Sequence, residues 1–367
     1  YGPDPRYLLL HFKADAELGR FSKAARGVGI HHLGAKAMEE WPLRLAPSGE
    51  QLRIVDEVEK QFTRLDAAVA GLQRVKANLK RYRASVLKAA CEGRLVPTEA
   101  ELAQREGRSF ESGEELLKRI LKERRARWEA DQLAKMKAAG RGRTHDAWKT
   151  SYEEPASAAE IVVAGVPGWS VASLDQICPV FVDCAHRTPR YSEEGTPALR
   201  PRDVVGGFLR LEEAARVATN EYEKQTLRRR PVPGDIIYSR ELSFGWAVLV
   251  PEAPSVCMSQ GMVLFRPSDR VDNRFVRVVL NGPLGRKQAE RAATGSAHPH
   301  INLADIRTYA VPLPPLPEQH RIVAEVERRL SVVDELEATV EKNLARCARL
   351  RQSILKMAFE GRLVPQD

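Results

Sequence analysis

The sequence predicts an α/β (α+β) domain joined to two long helices that pair as an antiparallel coiled coil. Three observations predict this fold class. Residues 4–97 match residues 272–365 at a constant offset of 268 residues. The matched segments carry apolar residues at spacings of three and four over some 40 residues, which is typical of a long amphipathic helix. Residues 168–313 hold short β-branched runs separated by glycine turns, which is typical of strands.

The internal repeat is strongest at the start and the end of each long helix. Residues 50–59 read EQLRIVDEVE and return as EQHRIVAEVE at 318–327, and EGRLVP occurs at both 92–97 and 360–365. A repeat at a fixed offset indicates one structural unit present twice. The chain therefore contains one unit and a fraction of a second.

The two long helices are expected over residues 48–97 and 316–367. Gly93 and Gly361 follow the last apolar turns, where a left-handed cap suits glycine. A helix of some 40 residues is about 60 Å long, and its apolar stripe needs a cover. We expect the helices to cover each other, although each could instead pack on its own domain or on another chain. The predicted pairing residues are Val55, Val58, Phe62, Leu65, Val69, Leu72, Val326, Leu330, Val333, Leu336 and Val340.

Between the long helices, residues 98–167 predict a charged helical insertion and a linker. A polar, acidic connection is expected over residues 98–107, and a basic helix from Ser112 or Gly113. For the cations of that helix, a solvated face and direct phosphate contact both remain open. A compact α/β domain then follows over residues 168–315.

Composition limits the function classes. The chain has 367 residues, a formal net charge of +9 and five scattered cysteines without a CxxC pair. The charge suits a polyanion such as nucleic acid, the cysteines favour a reduced cytoplasmic protein, and no metal site is predicted. No apolar run approaches the roughly 20 residues of a membrane helix, so no membrane partner is expected.

Catalytic motifs are absent from the sequence. It holds no Walker A loop, no GxGxxG after a strand and no HExxH, and the acidic pair Asp235 and Glu241 lacks a lysine partner of the kind nucleases use. We therefore predict no catalytic residue in this chain. The expected loops of the α/β domain carry instead side chains that can hydrogen-bond to bases or phosphates. These candidates are Arg187, Arg190, Arg200, Arg202, Ser239, Arg240, Ser259, Gln260, Thr294, Gly295, Ser296 and His298.

Several motifs together resemble one family. PLPPLPEQHRIVAEVE at 312–327, ILKMAFEGRLVPQD at 354–367 and ASVLKAACEGRLVP at 84–97 resemble the conserved regions of the specificity subunits of type I restriction-modification enzymes. Gly168-Trp169, GDIIYSR at 234–240 and the Thr-Gly-Ser loop at 294–296 are similar to elements of that family's target recognition domains.

The resemblance implies a function. Two target recognition domains would each read half of a split site in double-stranded DNA, held apart by the antiparallel helices. Modification subunits would carry S-adenosylmethionine-dependent adenine methylation, and restriction subunits ATP- and Mg²⁺-dependent translocation and cleavage. No cofactor is expected on this chain itself.

The front of the chain departs from the family pattern. Residues 168–271 precede the second copy of the repeat, whereas three residues precede the first. Residues 1–47 are therefore expected to be the C-terminal remnant of a first recognition domain in a truncated subunit. The competing hypothesis is a coiled-coil interaction scaffold whose α/β domain (168–315) binds protein.

Overall fold

The structure is a computed structural model that describes residues 2–25, 32–139, 146–160 and 165–366. It divides into two compact units, the first formed by residues 1–82 with 331–367 and the second by residues 83–330. Long helices and a mixed α/β domain are both present, which confirms the predicted fold class. The helices are α1 (Pro5–Glu17), α2 (Arg20–Ala24), α3 (Ala35–Glu39), α4 (Ser48–Cys91), α5 (Glu99–Glu106), α6 (Gly113–Ala138), α7 (Leu174–Ile177), α8 (Thr219–Gln225), α9 (Asn273–Asn281), α10 (Pro283–Ala292), α11 (Leu303–Arg307) and α12 (Leu316–Phe359), with 3-10 helices at Asp146–Ser151 and Pro201–Gly207.

The two long helices α4 and α12 each run for 44 residues. Each helix is followed by the predicted left-handed glycine, because Gly93 and Gly361 have φ of 65° and 71°. In this left-handed region a residue with a Cβ is strained, so glycine is favoured after the last turn.

In the first unit α4 and α12 pack antiparallel. Asp66 pairs with Arg351 and Lys76 with Glu341, so residue numbers rise along one helix where they fall along the other. The predicted pairing residues Val55, Val58, Leu65, Val333 and Val340 are buried, and Phe62, Val69 and Leu72 are half-buried. Tyr7 and Leu10 of α1 join Phe359 in the core at the far end of this pair.

Leu336 was predicted to pair and does not. Buried residues of α12 recur every seven positions, at Val326, Val333, Val340, Cys347 and Ile354. Residues four positions after each of these are also buried or half-buried, at Leu330, Glu337, Leu344, Arg351 and Ala358, so the second seam position after Val333 is Glu337. Leu336 lies about 100° from Glu337 around the helix axis, outside the seam, and is 46% exposed.

A hydrogen-bonded joint connects each long helix to the first helix of its copy of the repeat, α12 to α9 and α4 to α1. In the second unit the Gln319 side chain accepts from the Asp272 N–H (2.9 Å) and donates to the Pro314 carbonyl (2.9 Å). Asp272 in turn caps α9. The same three bonds recur 268 residues earlier in the first unit, where Gln51 accepts from Asp4 (2.9 Å) and donates to Ala46 (2.7 Å), and Asp4 caps α1. We call these the glutamine joints.

The second unit contains three small sheets. Their orders are β1-β9, β2-β8-β5-β6 and β4-β3-β7, and neighbours are antiparallel except for β3 and β7. All four residues of β5 and of β9 are buried, so these strands are covered on both faces. The strands are β1 (Ser170–Ser173), β2 (Val180–Asp183), β3 (Thr196–Leu199), β4 (Ala215–Val217), β5 (Ile236–Ser239), β6 (Ala247–Leu249), β7 (Cys257–Met258), β8 (Met262–Arg266) and β9 (Ala310–Leu313).

The insertion before this domain packs against it. Leu116 and Ile120 of α6 enter the core that holds β1, β5, β8, α9 and the start of α12. The N–H of Gly113 donates to the Gly168 carbonyl (2.7 Å), and a Cβ at Gly113 would lie 2.0 Å from the backbone oxygen of Leu313. Residues 98–107, predicted as a polar connection, contain helix α5. Thr98 forms a capping box with Glu101, a local signal that favours a helix start.

A buried polar cluster links the Gly-Trp motif to the start of α12. Glu318 is fully buried and accepts from the Trp169 indole (2.8 Å) and from the Glu99 N–H (2.8 Å). Burial raises the pKa of Glu318. Burial acts in the same direction on Glu99, but hydrogen bonds from Arg321 and Arg108 lower its pKa overall. The cluster therefore joins the start of the α/β domain to α12, the long helix that follows the domain.

Candidate nucleic-acid interface

One edge of the four-stranded sheet gathers most of the predicted binding residues. Strand β2 ends at Asp183 and β5 at Ser239, beside the start of β8, where Asp183 is paired with Val263 and Ser239 with Met262. The loop 293–300 joins the same edge through a bridge between Glu241 and His300. We call this surface, formed by loops 184–191, 240–246, 259–261 and 293–300, the polar edge.

Arg240 lies at the centre of the polar edge and is buried. Its guanidinium faces Asp183 (3.3 Å) and Glu241 (3.5 Å) and donates to the Ile301 carbonyl (3.3 Å). Its backbone N–H donates to the Gly261 carbonyl (2.9 Å). Arg240 therefore ties four chain segments together. Its predicted role as a direct contact is corrected to that of a positioning residue, because its charge is already paired.

Three other candidates also face inward, which corrects their prediction as contacts. The Ser239 hydroxyl is buried and donates to the Ser243 carbonyl (2.9 Å). The Ser259 hydroxyl is buried against the Tyr191 hydroxyl (3.2 Å). Arg200 holds Asp203 through two bonds of 2.8 and 2.9 Å. A side chain whose hydrogen-bonding groups are satisfied internally has little capacity left for a ligand.

The remaining candidates are exposed. Arg202 has 71% of its side chain exposed. Arg187 is partly exposed and pairs with Glu221, which also accepts from the Arg190 N–H (3.2 Å). His298 lies 3.7 Å from Glu241. The exposed candidates together are Arg187, Arg190, Arg202, Gln260, Thr294, Gly295, Ser296 and His298.

The tip of loop 293–300 is a tight turn. Thr294 and His300 exchange backbone hydrogen bonds of 2.9 Å in both directions. Gly295 has φ of 85°, and a Cβ there would lie 2.8 Å from the His298 carbonyl. Glycine is therefore required for the turn, which lifts Ser296 and His298 into solvent.

Sequence reasoning missed the carboxylates of the polar edge. Asp183 pairs with both Arg240 and His186, the latter at 2.9 Å, and Glu221 anchors Arg187. These partners lie 57 and 34 residues from the arginines that they hold, and no local pattern in the sequence marks them.

The acidic pair considered from the sequence does not form a site. Asp235 is fully buried and holds Arg266 through a bond of 2.9 Å. It precedes β5 whereas Glu241 follows it, so the strand separates the two backbone positions by up to about 20 Å at roughly 3.3 Å per residue. Two groups this far apart cannot share a metal ion or a reacting atom.

The basic face of α6 is largely neutralised by nearby carboxylates. Its arginines and lysines pair as Lys118–Glu114, Arg119–Glu111, Arg124–Asp175, Arg125–Glu129 and Arg127–Asp269, at 2.6 to 3.9 Å. This pattern favours the solvated face over phosphate contact.

Among the residues that the structure describes, no group of three or more His, Cys, Asp or Glu side chains is arranged to hold a metal ion. In the same ranges, no helix has the length and apolar character needed to cross a membrane.

Comparison with known proteins gives consistent matches. Residues 168–346 match the family "Type I restriction modification DNA specificity domain". The chain is 24% identical over 343 residues to the EcoBI specificity subunit and 24% identical over 369 residues to the EcoDI specificity subunit, both type I restriction enzymes of Escherichia coli. These matches cover 92% and 98% of this chain, and the chain spans 62% and 70% of those proteins.

A solved structure shares the fold. It comes from work on complex assembly and conformational transition of the type I R-M system, has a TM-score of 0.62 and 18% identity, and the match covers 98% of this chain and 72% of that one. Family profile, relatives and fold agree with the repeat and the motifs of the sequence. Residues 168–346 belong to the family of type I restriction modification DNA specificity domains, and the chain as a whole is similar to type I restriction enzyme specificity subunits.

Proposed function

We propose that this chain is a sequence-specific DNA-recognition subunit that reads one half of a bipartite target and is not itself catalytic. The observation that carries the proposal is the polar edge. There, exposed arginine, glutamine, serine, threonine and histidine side chains converge from three of its four loops on one end of a sheet. The matched specificity domain, residues 168–346, includes every one of these loops from residue 184 onward.

The exposed side chains suit two kinds of contact. Gln260 can form a bidentate pair with adenine, and Arg187 or Arg190 with guanine, in the major groove. Thr294, Ser296 and the backbone of their turn suit phosphate oxygens, which position a protein on the duplex. The buried Arg240 would serve both kinds by fixing the loops that present them.

The proposal includes partners. The relatives are subunits of type I restriction enzymes, so this chain would dock modification and restriction subunits through its paired long helices. S-adenosylmethionine, ATP and Mg²⁺ would bind to those partners. All five cysteines are free, as in proteins of a reducing compartment, so the complex would work in the cytoplasm.

A binding experiment with randomised duplexes tests the proposal. The chain is incubated with the library at several salt concentrations, and the bound sequences are read. We expect a preferred half-site and an affinity that falls steeply with salt, because each neutralised phosphate contributes about −0.9 to the slope of log K against log salt. The absence of both would overturn the proposal and favour a protein-binding scaffold.

Two variants separate the roles of the exposed residues. Gln260→Ala should relax the preference at one base position, at a cost of about 1–3 kcal/mol, if Gln260 reads a base. Arg202→Ala should weaken binding to all DNA sequences alike and make the slope of log K against log salt shallower by about 0.9, if Arg202 contacts a phosphate. Lys118→Ala is the matched control, since Lys118 is a paired cation on α6 and should change neither quantity.

A further inference from the structure

The polar edge contains both non-glycine residues that have a left-handed backbone within the described ranges. They are His186, with φ of 50°, and Leu242, with φ of 54°. This conformation brings the Cβ close to a backbone oxygen and costs energy for any residue except glycine. Strained residues of this kind persist where the surroundings hold them, and they concentrate at functional sites.

The two residues differ in what their side chains do. His186 places its imidazole 2.9 Å from Asp183, so a specific contact offsets its strain. The Leu242 side chain is 54% exposed and belongs to none of the hydrophobic cores of the described structure. The Leu242 loop thus combines a strained backbone with an apolar side chain in water, and both are unfavourable.

The backbone around Leu242 is held firmly on both sides. Its own N–H donates to the Pro299 carbonyl (2.8 Å), which ties it to loop 293–300. On its N-terminal side, Arg240 and Glu241 belong to the ion-pair cluster of the polar edge. The unfavourable conformation is therefore imposed by the two loops, which present Leu242 among the side chains that carry hydrogen-bonding groups.

We propose that Leu242 contacts the 5-methyl group of a thymine in the DNA target. This inference rests on the proposed function. The thymine methyl is the apolar group that base pairs display in the major groove, and apolar side chains recognise it. Contact with it would remove Leu242 from water, at the place where neighbouring side chains are suited to the polar base edges.

Replacement of thymine by deoxyuridine tests the contact, because it removes the methyl group and keeps every hydrogen-bonding group. The preferred half-site is first selected from a randomised library, and each thymine is then replaced in turn in synthetic duplexes. We expect one replacement to weaken binding by the full-length chain about fourfold, which corresponds to ~0.8 kcal/mol for one buried methyl-sized group. Leu242→Ala should bind the thymine and deoxyuridine duplexes equally.

Two further variants guard against a trivial result. Leu9→Ala is the matched control, because Leu9 is also 54% exposed but lies on α1, and it should keep the wild-type discrimination. Leu242→Gly relieves the left-handed strain. Its thermal midpoint should equal or exceed that of the wild type while the discrimination is lost, whereas a structural role for Leu242 would lower the midpoint.

The outcomes distinguish this inference from the proposed function. A chain that selects a half-site but binds thymine and deoxyuridine duplexes equally overturns the role of Leu242 and leaves the proposed function standing. The same holds if Leu242→Ala retains the wild-type discrimination. A chain without any sequence preference overturns both.

Discussion

Replacing Gln319 by leucine should disrupt the glutamine joint of the second unit. Gln319 is fully buried, and its side chain satisfies one backbone donor and one backbone acceptor, the Asp272 N–H and the Pro314 carbonyl. Leucine has a similar volume, so the change removes the two hydrogen bonds and leaves little cavity. The experiment thus isolates the polar contribution of the joint.

The magnitude follows from the two backbone groups left without partners. An unsatisfied buried group costs about 1–3 kcal/mol, so the expected loss in stability of the second unit is about 2–6 kcal/mol. The equivalent bond, donated by the Asp4 N–H to the Gln51 side chain, is only partly buried. Gln51→Leu should therefore cost the first unit less, about 1–3 kcal/mol, because water can reach part of the released group.

Hydrogen exchange followed by mass spectrometry measures each joint in place. Gln319→Leu should accelerate exchange in a peptide covering α9, and Gln51→Leu in a peptide covering α1. Gln61→Leu is the matched control, because Gln61 on α4 bonds only to the side chain of Glu57 (2.9 Å). Unchanged exchange in α9 for Gln319→Leu, or equal acceleration for Gln61→Leu, would refute the assigned role of the joints.

Three other predictions concern the helices. Val333→Asp should lower the free energy of unfolding by more than about 4 kcal/mol, because it places a charge in the buried seam between the helices. Val332→Asp, at a 50% exposed position, should lower it by under about 1 kcal/mol, and thermal unfolding compares the two variants. Hydrogen bonds from Arg328 and Arg329 lower the pKa of Glu325 from 4.5 to about 2. The stabilisation that these bonds give the folded chain is therefore complete above pH 4.5 and is lost as the pH falls towards 2. Glu325→Gln should reduce the loss of stability over this pH range, as measured by acid denaturation. Gly113→Ala should destabilise the folded chain, because the new Cβ would lie 2.0 Å from a carbonyl oxygen of β9. Gly71→Ala is the control, because its Cβ would meet its nearest atom at 3.9 Å and should stabilise α4 by about 0.5–1 kcal/mol. Chemical denaturation can resolve both changes.

The helical half of the molecule was predictable because it repeats. The match at 268 residues predicted two long helices and their pairing, and the structure extends it to individual hydrogen bonds, as Gln51 and Gln319 show. The prediction failed at Leu336 because a step of three residues and a step of four residues after Val333 both fit a heptad, and the apolar residue at the three-residue step was chosen. The seam position belongs to Glu337, whose charged end can reach water while its stem packs.

The exposure of the candidate site residues was not predictable residue by residue. Polar residues near turns pointed to loops that the structure brings together, yet Ser239 and Ser259 are buried. Strand β5 is covered on both faces, so alternation of polar and apolar residues carries no information about which side chain faces out. The partner of Arg240 is Asp183, 57 residues away, and only the sheet brings the two together.

Because the glutamine joint occurs twice with the same chemistry, it makes the chain suited to recombination. Each copy needs an aspartate that caps a helix, a backbone carbonyl before the long helix and one glutamine within its first turns. None of these elements belongs to a loop of the polar edge. A foreign domain that keeps those three elements would pack on its helix whatever its loops contain, so under the proposed function exchange of whole domains would change the target and leave the joint between each domain and its helix unchanged.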